Sequence, residues 1–302
     1  MQLETNLKIN GASFAIETIQ IYGVTRDPKS KEYAIIMEFQ NDGNLREMIR
    51  KHYNSLTWEI IIRMLWKISY GLHCIHEENY CHKDFHSGNI LCDYDTPVIS
   101  DFGLCHPLGQ SYSNDSDNEL YGVLPFIAPE ILRKRCNKEF TTAADIYGFG
   151  MLMFEIINGA PPFADMEFDE QSLYVNICND LRPQIPDYTP KPYANLMKRC
   201  WDPVSINRPT AWELRKQFLD WLNILNSLEN PEVELNKERQ LRQLVIRQEF
   251  SQERENVWKA RIEKMIMNKE SQISYTTTSK KLKNLTILNL SLYKLIFKNL
   301  NN

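Results

Sequence analysis

Asp84, Asn89 and Asp101 stand five and twelve residues apart in the chain. A carboxylate, a carboxamide and a second carboxylate are hard oxygen donors of the kind that suits Mg2+. In-line transfer of a phosphoryl group asks for such a set. It needs metal and phosphates held in line with an acceptor hydroxyl, and charge neutralised as it develops. In that chemistry Asp84 is the candidate base, accepting or orienting the hydroxyl proton. Asn89 would give its amide oxygen to one Mg2+, and Asp101 a carboxylate bridging metal and phosphates.

Elements able to carry these residues can be read on both sides. The first residues have the pattern of a short helix remnant. Two apolar, β-prone runs follow, Thr18 to Val24 and Tyr33 to Phe39, with Asp27-Pro28-Lys29-Ser30 as the turn between them. Ile61, Leu65, Ile68, Leu72 and Ile75 recur at alternating spacings of four and three, one buried stripe of a helix. Ile146 to Ile157 is apolar on nearly every side and is expected inside the fold, with Gly159 as its C-terminal stop. Leu214, Phe218, Leu222 and Leu225 predict a further amphipathic helix. A small β part followed by a large α part is the order of a two-lobed α+β domain.

The run His82-Lys83-Asp84 with Asn89 five residues on resembles the catalytic loop of the protein kinase superfamily. Asp101-Phe102-Gly103 resembles its metal-binding triplet, and Ala128-Pro129-Glu130 the end of its activation segment, all in the family's order. The resemblance implies a kinase-like α+β fold with a truncated small β lobe, a mainly helical large lobe and a C-terminal helical extension. It implies transfer of the ATP γ-phosphate to protein hydroxyls with Mg2+. Asp84, Lys83 and Asn89 would be catalytic, Asn89 and Asp101 metal ligands. Met37 would be the gatekeeper beside adenine, with Glu38 and Gln40 offering backbone groups to the ring and Leu91 packing beneath it. Asp145 would brace the catalytic-loop backbone, Arg208 pair with Glu130, and His82 and Phe102 stack in the column between the lobes.

His86-Ser87 stands where serine/threonine kinases often carry Lys-Pro and tyrosine kinases Ala-Ala, so the nearest likeness is to tyrosine-kinase-like serine/threonine kinases. Val123 occupies a position where serine/threonine kinases usually have a threonine. Lys83 replaces the usual arginine and can face a phosphate only as a point charge. Ser111, Tyr112, Ser113, Ser116 and Tyr121 are candidate phosphosites. Asp115, Asp117 and Glu119 make their surroundings acidic already, so an active state without phosphate is equally compatible.

No Gly-x-Gly-x-x-Gly loop and no strand lysine precede residue 20; Gly11, Gly23 and Lys8 do not supply them. Glu4 or Gln2 would take the place of the lysine's glutamate partner. Two readings follow: a kinase whose recorded sequence lacks its start, which is the expectation, or a catalytically impaired pseudokinase serving as a binding and scaffolding module.

Residues 1–228 are expected as the kinase domain, with the small-lobe remnant in 1–40 and the large lobe in 41–228. The interleaved charges of 229–270, with a partial stripe of Trp258, Ile262 and Met265, predict an exposed helical extension, mostly solvated and available to a protein partner. Residues 271–302 predict a weakly ordered tail. A net charge of −4 gives no basis for nucleic-acid binding. Seven cysteines without a Cys-x-x-Cys pair fit reduced thiols in the cytoplasm or nucleus. His73, Cys74, His76, Cys81, His82 and His86 crowd together, but their spacing fits no usual zinc pattern. No run is apolar and long enough to predict a membrane span.

Overall fold

The computed structural model describes residues 17–108, 120–133, 140–226, 237–269, 280–283 and 286–288. The expected N-terminal helix remnant, with Gln2, Glu4, Lys8 and Gly11, lies outside them, as do Ser111, Tyr112, Ser113 and Ser116 with their acidic neighbours.

β1 (Ile21–Arg26) pairs antiparallel with β2 (Tyr33–Met37). β1 starts three residues later than the apolar run because the run's first residues are engaged elsewhere. Thr18 bridges to Ile99, and the Ile19 amide donates to the Ile99 carbonyl at 2.9 Å. The turn forms where Asp27 takes the Lys29 amide at 2.8 Å and the Ser30 hydroxyl at 3.0 Å.

α1 (Leu45–His52) begins with a capping box, Asn44 and Glu47 each bonding the other's backbone amide. α2 (Trp58–Glu77) is capped by Thr57, and its whole predicted stripe is buried. Two short antiparallel ladders enclose the segment that follows: β3 (Tyr80–Cys81) with β6 (His106–Pro107), and β4 (Ile90–Asp93) with β5 (Thr96–Ile99). β7 (Leu120–Gly122), which contains Tyr121, leads into the short α3 (Pro129–Arg133).

α4 (Thr142–Asn158) is the core of the large lobe. Every residue from Ala144 to Asn158 is buried, as an all-round apolar sequence requires. It stops at Gly159, whose φ of 72° is the left-handed conformation glycine adopts without penalty. α5 (Glu170–Cys178) packs on α3, α6 (Lys191–Cys200) packs on α4, and α7 (Ala211–Asn226) packs along α2 and stacks Phe218 on Phe149 of α4.

The extension is two helices rather than one, α8 (Lys237–Glu249) and α9 (Gln252–Lys269), and it is not wholly solvated. Ile246, Phe250, Trp258 and Ile262 join the core of the large lobe. The Glu255 carboxylate takes the first backbone amide of α2, Trp58 N, at 2.9 Å, and the Trp258 indole donates to the Ile156 carbonyl at 3.1 Å. Glu249 likewise accepts the Lys191 amide at the start of α6 at 2.9 Å. Each carboxylate satisfies a helix-start donor that would otherwise lack a partner. Of the tail, β8 (Lys280–Lys283) and β9 (Thr286–Leu288) extend β7 into an antiparallel sheet of order β7-β8-β9. Among the described residues no helix is long and apolar enough to cross a membrane.

Candidate active site

The segment 82–89 crosses the floor of the large lobe, pinned from below by one carboxylate. Asp145, buried in the first turn of α4, accepts the His82 amide at 2.9 Å and the Lys83 amide at 3.0 Å, and contacts His76 Nε2 at 2.9 Å. The expected brace is therefore present. It holds Lys83 at a φ of 68°, a backbone conformation that needs such support in a residue with a Cβ. The Lys83 ammonium rests 4.8 Å above the Phe140 ring. The close approach of α4 depends on Gly148, where a Cβ would come within 2.6 Å of the Phe85 carbonyl oxygen.

Asp84 and Asn89 are brought together directly. The Asn89 amide donates to the Asp84 carbonyl at 2.9 Å and to its Oδ2 at 3.1 Å. Those oxygens only accept, which fixes the carboxamide orientation and turns its oxygen away from Asp84. Asp101 joins the same frame through its neighbour: Ser100 N and Oγ both donate to the Asn89 carbonyl, at 2.8 and 3.0 Å. His82 Nε2 contacts the Ser100 carbonyl at 3.0 Å, and its ring lies 5.6 Å from that of Phe102. Asp101 itself is left-handed, φ 59°, with Oδ1 accepting the Gly103 amide at 3.3 Å. The Asn89 amide oxygen and the Asp101 carboxylate are a hard oxygen pair that fits Mg2+.

Burial pushes the Asp84 carboxyl up, but the close approach of His86 at 3.3 Å, the nearby His82 and the hydrogen bond from Asn89 together outweigh it. The group is held below the ordinary carboxylate range and is ionised at neutral pH. Gly122, at φ 137°, carries the end of β7 past it, a Cβ there lying 3.6 Å from Asp84 Oδ1. Val123, next in the chain, has no side-chain donor to offer. The end of that segment is tied down by the expected pair, Arg208 to Glu130.

Met37, Glu38 and Gln40 form the connection out of β2. The Glu38 amide donates to the Gln20 carbonyl at 2.9 Å. Met37 is 43% exposed and Phe39 81% exposed. The connection then runs onto β4: Asp42 N donates to the Cys92 carbonyl at 3.0 Å, Cys92 N to the Gly43 carbonyl at 2.8 Å, and Asn44 bridges to Leu91. Leu91 is thus on the strand against which residues 42–44 lie, partly buried on the main core.

The histidines and cysteines that crowd together in sequence face different partners. His73 stacks on Trp212 at 5.1 Å, His76 meets Asp145, and Cys81 Sγ meets the Phe140 carbonyl at 3.6 Å. Three contributors have no counterpart in the spacing argument: Ser100 as a tether, Arg46, which bonds both Glu155 and Ser87 Oγ, and His86, beside Asp84. His86 had a signal, its departure from the Lys-Pro and Ala-Ala patterns. Arg46 had none, since its partner is 109 residues away.

Comparison with known proteins gives a consistent picture. Receptor-interacting serine/threonine-protein kinase 4 of Mus musculus is 29% identical over 228 residues, covering 72% of this chain and 28% of the relative. Ankyrin repeat and protein kinase domain-containing protein 1 of the same species is 31% identical over 202 residues, covering 63% of this chain and 26% of the relative. Mitogen-activated protein kinase kinase kinase dlk-1 of Caenorhabditis elegans is 28% identical over 193 residues, 63% of this chain and 20% of the relative. The chain thus spans less than a third of each of these relatives. The family profile described as protein tyrosine and serine/threonine kinase matches residues 12–218, more than half the chain and all the residues of the site. By that match the chain belongs to the protein tyrosine and serine/threonine kinase family.

Proposed function

We propose that this chain transfers the γ-phosphoryl group of ATP to serine or threonine hydroxyls of a protein substrate. Asp84, ionised and aimed by Asn89, accepts a hydrogen bond from the acceptor hydroxyl as its oxygen attacks γ-phosphorus. The bond from phosphorus to the β–γ bridging oxygen breaks, ADP leaves, and the hydroxyl proton passes by way of Asp84. Asn89 and Asp101 are the residues that would hold Mg2+, which neutralises charge on the phosphates. Lys83 keeps the loop in place through its backbone amide, and its ammonium adds positive charge beside it. The Glu38 carbonyl and Gln40 amide would receive adenine between Met37 and Leu91. Serine/threonine choice is supported by the names of the relatives.

The observation that carries this is the bonded frame Asp84–Asn89–Ser100, which fixes base and metal ligands relative to one another before any substrate arrives. The test is incorporation of labelled phosphate from ATP with Mg2+ into dephosphorylated casein, against Asp84→Asn and Asp101→Asn. Both substitutions abolish incorporation if the proposal holds; equal incorporation by all three proteins sinks it. A second reading, a pseudokinase binding module, is favoured by the exposure of Met37 and Phe39 where adenine would sit. It predicts no incorporation above background in any of the three.

A protein partner on the extension would meet its outer face, where Leu241, Leu244 and Val245 of α8 are exposed. The Trp258 stripe is already used within the chain.

A further inference from the structure

His86 follows Asp84 by two residues and is 2% exposed. Its tautomer is dictated by the backbone. Nδ1 accepts the Gly88 amide hydrogen at 3.0 Å, and an N–H cannot be directed at another N–H. The ring is therefore neutral with its proton on Nε2. That nitrogen stands 3.3 Å from Asp84 Oδ1, the oxygen opposite the one Asn89 holds. The contact is long, and Nε2 is buried without a regular hydrogen bond among the described residues. A donor that tightens only when the acceptor substrate draws the carboxylate into line has this appearance in a ligand-free site.

The ring is seated from both sides. His86 caps the short turn Ser87–Asn89, and its ring lies 5.9 Å from Phe126, tilted by 56°. Phe126 belongs to the segment between β7 and α3. The ring thus bridges the loop bearing Asp84 and the segment beyond it.

We infer that His86 is a positioning residue for phosphoryl transfer, its neutral Nε2–H holding the Asp84 carboxylate in the rotamer that meets the acceptor hydroxyl. This rests on the role proposed above for Asp84. A neutral donor suits the task because it orients the carboxylate without forming an ion pair that would drain its basicity. With Asn89 on Oδ2 and His86 on Oδ1, rotation of the carboxylate breaks one contact or the other.

Two substitutions separate the N–H from the ring. His86→Gln keeps an amide donor and loses the aromatic contact; His86→Phe keeps the aromatic contact and loses the donor. In transfer to dephosphorylated casein by the full chain, His86→Phe lowers kcat about 10- to 100-fold with KM for ATP unchanged. His86→Gln retains kcat to within about threefold. The reverse order, or two equal losses, means that the ring only packs and overturns the inference. If Asp84→Asn transfers phosphate as well as the parent, the role of Asp84 has failed instead. Nitrogen-15 spectra of histidine-labelled protein decide the matter without turnover. They must show His86 as the Nε2–H tautomer at neutral pH, with an Nε2–H signal that shifts in Asp84→Asn. An Nδ1–H tautomer, or a signal indifferent to Asp84, refutes the inference.

Discussion

Arg208 and Glu130, 78 residues apart, face each other fork to fork, Nη1 to Oε1 at 2.7 Å and Nη2 to Oε2 at 2.8 Å. The same guanidinium donates to the carbonyls of Ala143 at 2.8 Å and Asp202 at 2.9 Å and covers the Tyr147 ring. One planar cation thus locks α3, α4 and the start of α7 together. A lysine has neither the fork nor the reach to keep all four bonds, and each lost donor leaves a partly buried oxygen to find another partner. Arg208→Lys is expected to lose about 2–4 kcal/mol in guanidinium chloride unfolding, with the slope unchanged.

Gly148 is a test of close approach. An added methyl group would meet the Phe85 carbonyl oxygen at 2.6 Å, and that oxygen is backbone and cannot swing aside. Gly148→Ala should lose about 1–3 kcal/mol by overpacking. Because the atom displaced lies one residue from Asp84, kcat should fall further than a melting curve alone would suggest. A variant with lowered stability and full kcat would show the two to be uncoupled.

Asp42 supplies a pH dependence. Bonds from Lys51 and His52, opposed by burial and helped by the Tyr94 amide at 2.7 Å, hold its carboxyl far below the usual range. The folded-state pKa lies under the unfolded value of about 3.9, so the stabilisation is fully present above that pH and drains away as pH falls toward the folded value. Lys51 is 59% exposed, so solvent screens its share, and the Tyr94 and His52 contacts carry most of the effect. Asp42→Asn should cost about 1–3 kcal/mol at pH 7. The gap from the parent should narrow steadily in urea titrations below about pH 4. A gap independent of pH would exclude the carboxylate as its source.

Trp258 joins the extension to the lobe, fully buried, bonded to Ile156 and 5.8 Å from the Trp58 ring. Trp258→Ala should cost about 3–5 kcal/mol. Leu241→Ala, at a side chain 63% exposed, should stay within about 0.5 kcal/mol. Since α9 shares its core with α2 and α4, residues 17–269 should unfold in one transition. Two calorimetric peaks would show the extension folding by itself.

Local features were legible in the sequence. The four-three spacing of Ile61 to Ile75 needs no tertiary knowledge to place a helix, and the all-apolar run after Asp145 could only be buried. The catalytic motifs are likewise short in sequence. What escaped depends on distant partners. The start of β1 moved because Ile99 claims Ile19, and the extension's charged surface concealed the few residues that bury against α2 and α4. The role of His86 depends on a tautomer, and that tautomer depends on where one backbone amide points.

The bond between Trp58 N and Glu255 has a consequence in time. The two residues are 197 apart, and at a ribosomal rate of about 5–20 residues per second the carboxylate follows the amide by about 10–40 s. Through that interval the nascent chain leaves the Trp58 amide to water and presents Trp58, Trp221 and the flank of α4 to solvent or to a chaperone. Folding of this domain can finish only after the extension has left the exit tunnel.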